Sequence, residues 1–459
     1  MLRDGVFEIL KKCSKQTGLA AYVVGGFVRD TLLKRPCKDI DVVVLGEGIV
    51  FAKAFATAIH AKEVTTFERF GTAMVRYKDW EIEFVGARKE SYNRNSRKPI
   101  VENGTLADDQ IRRDFTINAL SFSLNEENYG ALIDPFEGQA DLAKKIIRTP
   151  TNPDITFSDD PLRMMRAIRF ATQLGFEIEE KTFESITRNA QRIEIISPER
   201  IVDELNKIMV TAVPSVGYKL LFQAGLLKHI FPELQAMYGV EFRNGQGHKD
   251  NFYHTLKVLD NVAEKSDNLW LRWVAVLHDI GKPITKRFDT TEGWTFHGHE
   301  DKGAKMVIEI FRKLRLPLNE KMKYVQKLVA LHQRPVALVN LEVSDSAIRR
   351  IVVDAGEDLD DLLLFCSCDI TSSFPEKVQR YKENYRLLAT RMKEVEEKDN
   401  LRNWQPPISG EMIMQTFGLP PGIKVGLIKN AIREAILEGE IPNDEAAALA
   451  YMHKIAENI

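Results

Sequence analysis

Four cysteines in 459 residues, Cys13, Cys37, Cys366 and Cys368, are too few for a disulfide framework, and none falls in the C-x-x-C spacing of a zinc site. Reduced thiols are the expectation. An excess of charge of one sign is also missing, with 64 Lys and Arg against 66 Asp and Glu. A strongly basic total would point to nucleic acid, so any such binding here must come from local clusters. No apolar run is long enough to span a bilayer, and the opening Met1-Leu2-Arg3-Asp4-Gly5 has no signal-peptide pattern. A soluble, cytoplasmic protein with no membrane partner is expected, and no protein partner can be inferred. Short-period repeats and low-complexity segments are absent as well.

What is present is length and ordinary apolar content, 44% hydrophobic, enough for several domains of about 100–200 residues each. Residues 1–18 have the pattern of an amphipathic helix. Tyr22-Val23-Val24, Ile40 to Leu45, Ala73 to Tyr77 and Glu81 to Val85 read as strands, by apolar runs or by alternation. From about Asp160 the pattern is almost wholly helical, punctuated at Pro198, Pro214, Pro232 and Gly239. Gly245 to Gly247 reads as a boundary, Gln379 to Glu397 as a highly charged helix ended by Pro406-Pro407, and two amphipathic helices close the chain. The fold class is α+β: a head over 1–148, a helical neck and body over 149–240, a histidine-bearing domain over 241–375 and a helical tail over 376–459.

The chemistry begins at Tyr22. A strand running into Gly25-Gly26 and then a helix leaves backbone N–H groups where a triphosphate can approach. Arg29, one turn into that helix, can reach phosphate oxygens. Asp39 and Asp41 stand two apart on a strand, so both carboxylates leave one face. Paired carboxylates suit Mg²⁺, and two such ions can activate a 3′-hydroxyl and stabilise a leaving pyrophosphate. Glu83, from a neighbouring strand, can supply a third carboxylate. A lone Gly-Gly is usually a turn and a lone D-x-D a solvated strand end; in this order and spacing they are far more specific.

At these residues the sequence resembles the polymerase-β-like nucleotidyltransferases, and more narrowly the bacterial class II CCA-adding enzymes and their poly(A) polymerase relatives. Arg69-Phe70-Gly71-Thr72 is similar to the family's F-G-T segment, and Arg112-Arg113-Asp114-Phe115-Thr116-Ile117-Asn118-Ala119-Leu120 to its second motif almost letter for letter. Asp134-Pro135, Gly138, Asp141-Leu142 and Arg148 fit the next. Asp160-Pro161-Leu162-Arg163, continuing through Arg166 and Arg169 to Phe170, fits the nucleobase-reading helix, and Ser197-Pro198-Glu199-Arg200 with Glu204 the one after. The resemblance covers roughly residues 20–235. It implies tRNA as acceptor, CTP and ATP as donors, Mg²⁺ in the head, and Gly25, Gly26, Arg29, Arg113, Asp114, Asn118, Asp160, Arg163, Arg166 and Arg169 around the nucleotide.

It also implies that side chains, not a template strand, choose C and A. Cytosine and adenine both present an amino donor beside a ring-nitrogen acceptor. Asp160 can accept from the first and Arg163 donate to the second. Uracil and guanine would set a carbonyl against the carboxylate, at a cost of about 1–3 kcal/mol. Asp160 before Pro161 is equally a helix cap, and the arginines three apart are equally a solvated face opposite Leu162, Met165 and Ile168. Asp159 stands where the family usually has Glu. The polar segment from Arg88-Lys89 to Leu106 resembles the flexible loop of enzymes that add all three nucleotides, and reads otherwise as a surface loop.

A second constellation follows. His254, His278-Asp279 and Asp369 stand in the order of an HD metal site, and four N/O ligands from three helices can hold a divalent ion. Ile280-Gly281-Lys282-Pro283 completes the resemblance to H-D-I-G. His299 and His332 can serve a second ion; His248 and His297 are weaker candidates. Taken singly, each histidine reads as a hydrogen-bonded core residue. The resemblance implies a phosphohydrolase-like domain acting on phosphoester ends of RNA or nucleotides, or a remnant that supports tRNA.

Lys89, Arg94, Arg97 and Lys98, and separately Lys429, Arg433 and Lys454, are basic clusters that can meet tRNA phosphates or be plain surface. Pro420-Pro421-Gly422-Ile423-Lys424-Val425-Gly426 is similar to the family's tail region, which supports the tRNA body through backbone contacts. Three functions fit: CCA addition to tRNA; poly(A) or A-only addition on the same scaffold; or an HD phosphohydrolase whose amino-terminal half only binds RNA. Retention of both Asp39 and Asp41 argues against the third.

Overall fold

The computed structural model describes residues 2, 4–68, 71–91, 100–338, 344–371, 375–399 and 406–456. They form two compact units, Met1–Pro232 and Glu233–Ile459.

The first unit is built on a seven-stranded mixed sheet. From one edge its strands are Thr65–Phe67, Thr72–Tyr77, Trp80–Gly86, Asp39–Val44, Ala21–Val24, Ser121–Ser123 and Leu132–Ile133. β-Branched and aromatic residues dominate its centre, as half-buried pleated surfaces favour. Asp39–Val44 and Trp80–Gly86 run parallel, with Asp41 level with Glu83 and Asp39 level with Glu81. Side chains alternate along both strands. Ile40, Val42, Ile82 and Phe84 are therefore buried on one face, where Phe84 packs on Phe51 and Phe55 of the helix Gly48–Ala58, 5.7 and 5.5 Å between ring centres. The acidic residues take the other face. The expected first helix is Gly5–Thr17, burying Val6, Phe7, Leu10 and Cys13.

Beyond the sheet the unit is helical. Pro198, Pro214 and Pro232 each open a helix, Pro198–Met209, Pro214–Gln223 and Pro232–Gln235, because the first helical residue needs no amide donor. Leu162–Leu174 buries Leu162, Met165 and Ile168 as its periodicity predicts, together with Met164, Ala167, Phe170 and Ala171.

Among the described residues the second unit is helical apart from two hairpins, Phe242–Arg243 with Gln246–Gly247 and Arg287–Asp289 with Gly293–Thr295. Where Gly245 to Gly247 suggested a boundary, the chain makes the first of these turns. The charged stretch is the helix Pro375–Asp399. The helices Gly410–Phe417, Ile423–Glu438 and Glu445–Ala456 close over a core of Ile408, Ile413, Ile428, Ile432 and Met452. No helix among the described residues is long and apolar enough to cross a membrane.

Candidate active site and metal centre

The strand Ala21–Val24 enters the helix Gly26–Leu32 through Gly25 at φ 71°. A side chain here would be strained, and a Cβ would lie 2.9 Å from Arg113 Nη1 and 3.4 Å from Asp41 Oδ2. The turn, Arg113 and Asp41 thus meet at one point. Asp39 and Glu83 share the face of Asp41 by alternation and register. Burial raises the Asp41 carboxyl, Arg113 opposes, and Asp39 and Asp109 raise it further. Burial and Asp41 raise Glu83. Asp41 and Glu83, raised by burial and by neighbouring negative charge, with Asp39 on the same face, are a donor set that a divalent cation would relieve.

Behind them lies a network. Arg29 is buried; it donates to Asn118 Oδ1 at 2.9 Å and pairs with Asp30 at 2.8 Å. Asn118 donates to Asp114 at 3.0 Å, and Arg166 grips the same carboxylate at 2.8 and 2.6 Å. Arg169 pairs with Glu204 at 2.9 Å and lies 4.2 Å over the Phe170 ring. These arginines are therefore committed contacts and not a solvated face. Asp160 Oδ1 accepts from the Leu162 amide, its other oxygen pairs with Arg200 at 3.0 Å, and Arg163 donates to the Arg112 carbonyl at 2.6 Å. Asp160, Arg163, Arg113, Asp114 and Arg166 line one open cavity of about 270 Å³.

Asp109 escaped the sequence reading. It is fully buried and pairs with both Arg112 and Arg113, at 2.5 and 2.8 Å. The Thr105 and Asp108 capping box starts its helix, Leu106–Ile111. The signal was available: Asp109 precedes Arg112 by three and Arg113 by four, the spacing of facing helical pairs. Arg69, Phe70, Arg94, Arg97 and Lys98 lie outside the described residues, as does the Lys89 side chain.

In the second unit, His278 and Asp279 follow the helix Leu269–Leu277; His254 comes from Asn251–Lys265 and Asp369 ends Leu359–Asp369. His254 Nε2 is 3.0 Å from Asp369, and His278 Nε2 is 3.2 Å from Asp279 Oδ2. The other Asp279 oxygen lies 3.2 Å from His299 Nε2 and 3.9 Å from His332 Nε2. Two ligand clusters result, His254–His278–Asp279 and Asp279–His299–His332, sharing Asp279. The Nδ1 atoms of His278, His299 and His332 face the carbonyls of Ala275, Phe296 and Val329 at 2.9, 2.9 and 2.6 Å. A donated Nδ1–H leaves each Nε2 as an acceptor turned inward; that of His332 takes a hydrogen bond from the Gln333 amide at 3.2 Å and lies 3.3 Å from His299 Nε2. His278 Nε2, Asp279 Oδ1 and Asp369 Oδ1 are buried without a hydrogen-bond partner. Lone pairs facing lone pairs in the interior fit a bound cation. Burial, with His278 next to it, lowers His332 to about 4, the neutral form that ligates. His248 is elsewhere, bonded to the Lys249 carbonyl and the Glu241 amide, and His297 is exposed.

A mixed sheet carrying three carboxylates on one face, followed by helices and a separate HD cluster, defines a nucleotidyltransferase head joined to an HD domain. Family models agree: the Poly A polymerase head domain matches residues 21–148, the "Probable RNA and SrmB- binding site of polymerase A" 175–238 and the HD domain 251–357. The A-adding tRNA nucleotidyltransferase of Deinococcus radiodurans is 30% identical over 95% of this chain and 96% of its own. The Multifunctional CCA protein of Shewanella frigidimarina is 33% identical over 64% of this chain and 70% of its own. Among solved structures, a tRNA nucleotidyltransferase complexed with a primer tRNA and an incoming ATP analog is 25% identical, with TM-score 0.59 over 84% of this chain and 99% of that one. The apo form II of a CCA-adding enzyme shares the fold, with TM-score 0.64 at 23% identity over 99% of this chain and 95% of that one. The chain belongs to the tRNA nucleotidyltransferase and poly(A) polymerase family, and it is a nucleotidyltransferase.

Proposed function

We propose that this chain adds C, C and A to the 3′ end of tRNA, from CTP and ATP and without a template strand. The observation that carries this is the register setting Asp41 level with Glu83, with Asp39 on the same face, in front of the Gly25 turn. Asp39, Asp41 and Glu83 would hold Mg²⁺, which when bound favours the ionised 3′-hydroxyl and offsets charge on the leaving pyrophosphate. Gly25 and Gly26, without side chains, let the triphosphate approach the turn closely, while the Gly25 amide itself is held by the Leu120 carbonyl at 3.3 Å. Arg29, Asp114, Asn118, Arg166 and Arg169 form the rigid wall behind the nucleotide, and Arg113 stands between that wall and Asp41.

Asp160 and Arg163 read the base. Only one of Arg163's five donors is used by the Arg112 carbonyl, and each Asp160 oxygen keeps a lone-pair site beyond its present bond. Both residues face the same cavity. Capping and base reading are therefore compatible. The division into head over 1–148, body over 149–240, HD domain over 241–375 and tail over 376–459 follows the same reading, as does a cytoplasmic location.

A-only addition is the second reading, favoured by the name of the relative that aligns nearly end to end. Purified protein given tRNA lacking its 3′ end, with each nucleotide separately and then together, divides the two. CTP incorporation followed by a single A supports CCA addition. Incorporation of ATP onto tRNA already ending in CC, with no CTP incorporated onto tRNA lacking its 3′ end, supports the second reading and overturns the first. No incorporation at all would leave the HD cluster as the catalytic part.

The HD cluster binds a divalent metal and acts on phosphoester ends in this reading. It rests on the three buried, unpartnered ligand atoms. Elemental analysis of the purified protein against the His278→Ala/Asp279→Ala variant tests the metal. Hydrolysis of a 2′,3′-cyclic phosphate, lost in the same variant, tests the chemistry.

A further inference from the structure

The two hairpins of the second unit were not foreseen from the sequence, and neither belongs to the metal cluster. They lie against each other: the Trp294 indole donates to the Gln246 carbonyl at 3.1 Å, and a Cβ on Gly293 would strike the Gln246 side chain. Short hairpins of two and three paired residues hold poorly by themselves. What they present is a row of aromatic rings interleaved with cations. Phe288 meets Trp294 edge-on at 5.2 Å. Arg243 lies 4.9 Å over Phe288, Lys286 5.6 Å over Trp294 and Lys282 5.6 Å over Phe296. Phe242 covers Gly247 with its ring and is still 75% exposed.

An aromatic ring left in water this way serves no core. Arg243, over the Phe288 ring, has no ion partner among the described residues, so the row keeps a free positive charge. Lys286 is paired with Glu241 and Lys282 with Asp279.

The row also reaches the metal cluster. Lys282 sits over Phe296 and pairs with Asp279 at 2.6 Å. The Phe296 carbonyl accepts from His299, a ligand of the second cluster. His248 packs edge-on against Trp294 and Phe296, while the adjacent Lys249 contacts His254 at 2.9 Å.

We propose that these hairpins form a binding platform for unpaired RNA, on which successive bases stack against Phe242 and Trp294 while Arg243 and Lys286 meet the phosphates. Aromatic faces interleaved with cations hold single strands irrespective of sequence, and a duplex, whose bases are already stacked, cannot use them. A strand on the platform ends at Lys282 and the HD cluster. Binding itself does not depend on whether that cluster hydrolyses anything.

Trp294 makes the proposal testable in the intact chain. A short unpaired RNA oligonucleotide is titrated in EDTA, so hydrolysis at the cluster neither helps nor hides binding. Tryptophan emission is expected to fall on binding, and the Trp294→Phe variant to lose that change. The part of the change lost in Trp294→Phe belongs to the platform, while Trp80 of the first unit reports RNA held there. Phe242→Ala/Arg243→Ala should shift the same titration about tenfold or more toward weaker binding, by the usual magnitude of one lost stacking contact. That variant should add nucleotides to tRNA at the unchanged rate, which shows it folded. A Trp294-independent signal, an unshifted midpoint in the double variant, or equal competition by the annealed duplex would each overturn the platform. A working platform with no hydrolysis in added metal would instead sink only the phosphohydrolase reading.

Discussion

Asp114 is where the side-chain wall of the amino-terminal unit closes. Full burial would raise its carboxyl, but the Arg166 charge, the Asn118 and Arg166 hydrogen bonds and Arg163 outweigh this and lower it from 3.8 to about 2. A folded-state value below the unfolded one contributes stability that is complete above 3.8 and is lost as pH falls through about 2. Asp114→Asn should therefore be less stable at neutral pH by about 2 kcal/mol, and the gap should shrink between those two values. Urea midpoints of both proteins across acid pH check this; a gap independent of pH would assign the loss to packing. Asp41 is the converse case, a carboxyl that burial and its neighbours raise. Asp39→Ala/Asp41→Ala should abolish nucleotide incorporation and leave tRNA affinity largely intact. Wild-type incorporation rates in that double variant would refute the metal assignment. Asp39, Asp41 and Glu83 were legible because two strands betrayed their alternation. Asp109 carried the spacing of a facing pair with Arg112 and Arg113, but a solvated helix face shows the same spacing, so only its burial sets it apart.

At the scale of elements, the strands and proline-led helices followed from periodicity and from the positions where an amide is dispensable. The hairpins at 242–247 and 287–295 did not, since two or three paired residues carry too little pattern to separate from loop. The turn at Gly25 was legible as a turn, but only the structure gives its reason. At φ 71° and ψ −133°, outside the left-handed helical region, a non-glycine residue is strained by about 1–3 kcal/mol, and the added methyl would press on Arg113 and Asp41. Gly25→Ala should cost at least tenfold in kcat for nucleotide addition with a smaller change in melting temperature. Steady-state kinetics beside a thermal melt separates the two. A large loss of stability with normal kcat would make the glycine a matter of folding alone.

At the scale of the whole molecule, each compact unit holds a set of potential metal ligands among its described residues: Asp39, Asp41 and Glu83 on one sheet face of the first, and the two overlapping clusters that share Asp279 in the second. Their chemistry differs. The first is carboxylate only and suits a hard cation held partly by substrate phosphates; the second mixes imidazole with carboxylate and suits a transition metal. Excess Mg²⁺ alone should therefore change the melting temperature little, since the carboxylate set is incomplete without nucleotide. A transition metal such as Mn²⁺ or Ni²⁺ should raise it, because binding to the folded state alone contributes about 2.7 kcal/mol at a hundredfold excess over Kd. His278→Ala/Asp279→Ala removes ligands from both overlapping clusters, including the shared Asp279. That variant should lose the metal-induced rise and keep nucleotide addition in Mg²⁺ at the wild-type rate. If addition fell with it while the melt stayed cooperative, the two sites would be coupled, and the HD cluster would be part of the transferase and not a second activity on the same chain.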